Sequence, residues 1–163
     1  MDWDKATDII LYASFAIVGM FALLGLCQWI RRKSLKKVDK SLLFMPIPLA
    51  LMAIVYIVFD KFLVLNTRPN GSGEPSFPST HTMVVGTIFM ITAIALPRFI
   101  KSKFACAVID IVMLALFAVT AAGRVLSDMH WLSDVIAGAV FALIFAVIYF
   151  VIVKLTTKKE QNE

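Results

Sequence analysis

The stretch Pro78-Ser79-Thr80-His81-Thr82-Met83-Val84-Val85-Gly86-Thr87-Ile88-Phe89-Met90-Ile91-Thr92-Ala93-Ile94-Ala95-Leu96-Pro97 decides the fold. After His81 it carries no charge-bearing side chain, and it stops at a proline, which cannot donate the backbone bond that would continue a helix. Residues 80–96 therefore read as one short membrane-spanning helix, near the lower limit of about 17 residues. Its polar start is marked by Pro78-Ser79-Thr80-His81.

The rest of the chain repeats that pattern. Ile9 to Ile30 is 22 residues without a formal charge, and a span needs about 20. The residues before it include Asp2, Asp4, Lys5 and Asp8, not the basic start of a cleaved secretory leader, so it reads as a retained first helix. Further spans read as 42–59, with Pro46 and Pro48 near its start, 104–122 and 131–153. The expectation is one domain over residues 1–163, an all-α integral membrane bundle of about five helices. Composition agrees: 60% of residues are hydrophobic and 17% charged, against about half and a quarter in soluble domains. Cys27 and Cys106 both lie in apolar runs and read as packing residues, with no disulfide framework or metal spacing.

The net charge of +5 is gathered at alternate connections. Arg31, Arg32, Lys33, Lys36, Lys37 and Lys40 fill one; Arg98, Lys101 and Lys103 the next; Lys154, Lys158 and Lys159 the tail, whose last residues are expected to be disordered. This is the cytoplasmic signature of the positive-inside rule and not a nucleic-acid surface. The N-terminus is then outside and the C-terminus inside. The outer segments hold only Lys5, Lys61, Arg68 and Arg124.

The chain's two histidines, His81 and His130, both fall at outer span ends. Around them stand Lys61, Arg68, Arg124 and Asp134. Cations and imidazoles gathered at one membrane surface suit phosphate chemistry: Arg offers a planar fork to two oxygens and Lys a point charge. Were residues 61–68 helical, Lys61 and Arg68 would share a face, although either side chain can instead snorkel to headgroups. Ser79 and Thr80 can cap the third span, and the same helix start can hold an anion. His130 and Asp134 stand at i and i+4, so an early helix start would let the carboxylate fix one imidazole nitrogen and free the other. Asp134 is one turn inside an apolar span, where an ionisable side chain is functional by default. Asp110, a second intramembrane acid, reads as structural and within reach of Lys101 or Lys103. Gly138, between two alanines, reads as a point of close helix packing.

Lys61-x6-Arg68-Pro69, Pro78-Ser79-x-His81 and Arg124-x5-His130-x3-Asp134, in that order and at successive helix ends, resemble the type 2 phosphatidic acid phosphatase (PAP2) superfamily, with a likeness to short bacterial undecaprenyl-diphosphate phosphatases. The resemblance covers the last four spans. It implies a metal-independent, cofactor-free lipid phosphatase working through a phosphohistidine. His130 would be the nucleophile, Asp134 its orienting carboxylate and His81 the acid on the leaving oxygen. Lys61, Arg68, Ser79, Thr80 and Arg124 would bind the phosphate. Thr80 stands where the pattern has glycine, and Gly123 where it has serine before the arginine. The implied partners are a lipid phosphate and the plasma-membrane bilayer. Undecaprenyl diphosphate is the favoured substrate and phosphatidylglycerophosphate or phosphatidate the alternative. A non-catalytic polyprenyl-phosphate binder or translocator is the alternative of a different class.

Overall fold

The computed structural model describes residues 2–161, side chains beyond Lys158 excepted. Six α-helices account for most of it: α1 Trp3–Arg32, α2 Lys40–Phe44, α3 Pro46–Ile57, α4 Thr80–Ala95, α5 Lys103–Leu126 and α6 Leu132–Gln161. The short α2 runs into α3 at Met45-Pro46, where proline takes the first helical position without losing a needed donor. One wide π turn, Val58–Phe62, then ends the same span. Among the described residues there are five helical segments long and apolar enough to cross a membrane, so the chain is built as a multi-pass membrane protein.

Local chemistry sets the ends. Asp2 caps α1 by accepting from the Lys5 N–H, and Ser102 caps α5 by accepting from Ala105. At the far end of α1, Lys33 adopts a left-handed conformation with φ 52° and returns its N–H to Trp29, beside Arg31 and Arg32, whose charges suit the negative end of the helix dipole.

The least apolar span is the central one. In α4 61% of its most apolar stretch is buried, against 17% for α1 and α5, whose free faces are left for lipid. α4 packs against α1, α3, α5 and α6. Shielded there, it can carry threonines: Thr87 Oγ1 donates to the Met83 carbonyl one turn back. Because lipid is as apolar as leucine, close packing and not hydrophobic exclusion holds such helices together. Gly138 of α6 meets the start of α4 so tightly that a Cβ would sit 2.7 Å from the Ser79 carbonyl oxygen. The sequence expectation for that glycine holds.

Several boundaries move. α1 begins at Trp3, so Thr7 and the acids Asp4 and Asp8 are helical and not a flanking tail. α5 continues to Leu126, which places Arg124 in its last turn. α6 continues to Gln161, while residues 162 and 163 lie outside the described part. Asp110 forms no ion pair with Lys101 or Lys103 among the described residues; its Oδ1 is buried without a partner in a cleft between α4 and α5.

Candidate active site

A cavity of about 210 Å³ opens where the start of α4, the end of α5 and the turn before α6 converge. Arg68, Ser76, Thr80, His81, Arg124 and His130 line it, with Tyr56 and Phe59 from the second span. Its roof is the 63–79 connection, which folds back on itself. Thr67 bridges Pro75, the Arg68 N–H donates to Glu74 at 3.0 Å and the Ser76 N–H to Asn66 at 2.9 Å. The reversal uses Gly71 and Gly73 at φ 77° and 73°, a region costly for other residues. Trp131 Nε1 pins this hairpin by donating to the Thr67 carbonyl at 2.8 Å.

His130 sits in the turn between α5 and α6, 5% exposed, with its backbone N–H bonded to the Arg124 carbonyl. Its Nδ1 lies 2.7 Å from the Ser76 carbonyl oxygen. A carbonyl only accepts, so Nδ1 carries the proton and Nε2 keeps its lone pair. Burial first, and the Arg124 guanidinium second, pull the His130 pKa from its ordinary 6.5 down to about 4. The ring is therefore neutral across the physiological range.

Asp134 makes no hydrogen bond to that ring. α6 starts at Leu132, past His130, so the two are not stacked one turn apart. The fully buried Asp134 carboxylate instead accepts from the Trp131 N–H and from Asn66 Nδ2, each at 3.0 Å. It holds the turn and the roof together, and the roof supplies the carbonyl that holds His130. A backbone acceptor has no side-chain signature, so nothing in the sequence marks Ser76.

His81 is in the first turn of α4, its Nε2 2.7 Å from Asp8 Oδ1 of α1. Arg124 is 3% exposed; its Nη1 donates to Asp4 Oδ1 and to Thr7 Oγ1, the latter at 3.3 Å. Arg68 pairs with Glu74 at 2.8 Å. In both arginines Nε is buried without a partner, a donor left over beside the cavity. The N–H groups at the start of α4 add to these, since a first turn has no carbonyl to bond, and Ser79 makes no side-chain cap. Asp4, Asp8 and Glu74 belong to none of the three motifs. The i, i+4 spacing of Asp4 and Asp8 was the available signal.

Not every expected residue joins. Lys61 lies on the π turn, 69% exposed and paired with Asp60 at 2.7 Å, outside the cavity lining. The chain leaves the helix at Leu63, so Lys61 and Arg68 share no helical face. Ser79 is also withdrawn: its Oγ bonds Thr82 Oγ1 at 3.0 Å and its N–H donates to the Asp134 carbonyl at 2.9 Å. Gly123 has a structural reason, because a Cβ there would come 2.7 Å from Thr7 Cγ2 of α1.

Arg68, His81, Arg124 and His130 thus converge on one cavity, as their spacing suggested. The fold is similar to the crystal structure of a transmembrane PAP2-type phosphatidylglycerolphosphate phosphatase from Bacillus subtilis. The match has a TM-score of 0.67 and 18% identity and covers 95% of this chain and 76% of that one. At that identity the likeness concerns the fold alone. Comparison with curated proteins finds no match. The profile of the PAP2 superfamily matches residues 59–158, more than half of the sequence and all three motifs, and the chain belongs to that superfamily.

Proposed function

We propose that the protein is a lipid phosphatase acting through a phosphohistidine on His130. The observation that carries this is the Nδ1 bond to the Ser76 carbonyl, which leaves a neutral ring with Nε2 as its free nitrogen among the cavity-lining cations. The Nε2 lone pair attacks phosphorus as the bond to the leaving oxygen breaks, and His81 gives that oxygen its proton. Arg68, Arg124 and the N–H groups at the start of α4 stabilise the charge on the equatorial oxygens. Water then gives a proton back to His81, attacks phosphorus and breaks the P–N bond. Phosphate leaves and His130 is restored. No step calls for a metal.

The favoured substrate is undecaprenyl diphosphate, cleaved to the monophosphate. The compact bundle and a site opposite the basic end support this, since the positive-inside rule puts that site on the extracytoplasmic face with the C-terminus cytoplasmic. Phosphatidylglycerophosphate is the second reading, after the substrate named for the Bacillus subtilis phosphatase of similar fold. Phosphate release from purified protein with EDTA present, on undecaprenyl diphosphate, phosphatidylglycerophosphate and phosphatidate, tests both. Faster release from the diphosphate is expected. Preference for a monoester selects the second reading, and no release from any lipid returns the protein to a binder or translocator.

A further inference from the structure

α1 lies outside residues 59–158, yet it reaches the site twice. Asp8 Oδ1 is 2.7 Å from His81 Nε2. One turn earlier Asp4 takes Nη1 of Arg124, which Thr7 also approaches. Asp4 and Asp8 stand at i and i+4, hence on one helix face. The close approach of Gly123 to Thr7 and Trp3 seats that face against α5.

The pattern of exposure shows which side serves the other. The Asp8 and Asp4 side chains are 42% and 41% exposed, their partners His81 and Arg124 17% and 4%. Carboxylates half in water would keep their solvation without these bonds. A buried guanidinium and a largely buried ring would lose their partners. Neither carboxylate lines the cavity, while both partners do. The acids therefore grip the site residues from behind and do not occupy the space a phosphoryl group would take. His81 Nδ1 makes no hydrogen bond among the described residues, so Asp8 leaves that nitrogen available for chemistry.

We propose that Asp8 is a positioning residue for His81: it holds the ring through Nε2–H, so that Nδ1–H is the proton given to the leaving oxygen. The proposal rests on the reading of His81 as the acid. As the Nε2–P bond of His130 forms and the P–O bond breaks, the Nδ1 proton passes to oxygen. His81 becomes neutral while Nε2–H stays on Asp8. The water that hydrolyses the phosphohistidine returns a proton to Nδ1. Asp4 holds Arg124 in the same manner, from the same helix face.

Two readouts on the full-length protein in detergent test this. With two histidines in the chain, imidazole ¹⁵N spectra are simple. One ring should show a slowly exchanging, downfield Nε2–H. Asp8→Asn should move it upfield and Asp8→Glu should restore it, with the other ring unchanged. In kinetics Asp8→Asn should lower kcat on a lipid monoester by about 10- to 100-fold, part of the usual worth of general acid catalysis. KM should stay within about threefold, and p-nitrophenyl phosphate, whose leaving group needs little protonation, should lose less than about threefold. Asp8→Glu should recover most of the loss. Equal loss on both substrates, or an Nε2–H signal that Asp8→Asn does not move, overturns the proposal. If the wild-type protein releases no phosphate from any substrate, the phosphatase reading falls by itself, and the imidazole spectrum still decides the role of Asp8.

Discussion

The two histidines line one cavity but are held in opposite ways. His130 is fixed through Nδ1 by a neutral backbone carbonyl in an irregular turn. His81 is fixed through Nε2 by a carboxylate reaching across from another helix. A neutral acceptor specifies a tautomer without adding charge, and leaves a basic nitrogen. A carboxylate offers a partner to a ring that carries both protons. On the mechanism proposed above, the difference teaches that the nitrogen that is tethered and the charge of the tether would decide which histidine attacks and which gives the proton.

The most damaging change to that comparison is His130→Ala. It should abolish phosphate release from every substrate, because no covalent intermediate can form. His81→Ala should lose most on a lipid monoester and less on p-nitrophenyl phosphate. If the good leaving group rescues His130→Ala and not His81→Ala, the two roles are exchanged.

Asp134→Asn comes next and separates the sequence reading from the structure. If Asp134 oriented His130, the amide would disturb the imidazole tautomer. In the structure both Asp134 oxygens accept from donors, Trp131 N–H and Asn66 Nδ2. The new NH₂ must face one of them, leaving a buried donor unpaired at a cost of about 1–3 kcal/mol. A lower Tm with the Nδ1–H tautomer of His130 retained is expected. A switched tautomer at unchanged Tm would restore Asp134 as the orienting group.

These contrasts show what could be read from the chain alone. The spans were legible because run length, proline stops and basic connections are local signals. The convergence of Arg68, His81, Arg124 and His130 was legible because each sits at a helix end or in the adjoining loop, on one side. The tethers were not. Ser76 acts through a backbone atom, and Asp8 acts across 73 positions of sequence. The helical alignment of Lys61 with Arg68 failed because the helix ends at Leu63: Arg68 lies in the irregular connection that lines the cavity, and Lys61 stays outside on the π turn.

A smaller effect concerns pH. With its folded pKa near 4, His130 stays in the nucleophilic form from about pH 5 upward. The unfolded chain would take up a proton near 6.5. Between those values the unfolded state binds more protons, so the stability that the neutral ring contributes is present above pH 6.5 and is lost as pH falls towards 4. Imidazole spectra between pH 5 and 8 should show one ring that does not titrate. A His130 ring titrating near 6.5 would mean that the fold does not bury it from water, since burial is the main cause of the lowered value.

The smallest effect expected is at Thr80, and it bears on the helix start that carries His81. The PAP2 pattern has glycine at this position, where backbone must come close to phosphate. Thr80 is the first residue of α4 and lines the cavity, so its side chain stands beside the N–H groups that would meet the equatorial oxygens. It makes no side-chain hydrogen bond to the rest of the described chain. Removing the side chain therefore breaks no internal contact that positions His81 or Arg124. Against this, glycine gives the unfolded chain more backbone freedom than threonine, at a cost below the roughly 1 kcal/mol that separates glycine from alanine inside a helix. Thr80→Gly should then keep kcat/KM within about tenfold, roughly 1.4 kcal/mol of barrier, with any loss shared by lipid and p-nitrophenyl substrates. A larger loss confined to kcat would show that the Thr80 hydroxyl donates to the phosphoryl group in the transition state. The phosphate cradle would then be built from side chain as well as backbone at the start of α4.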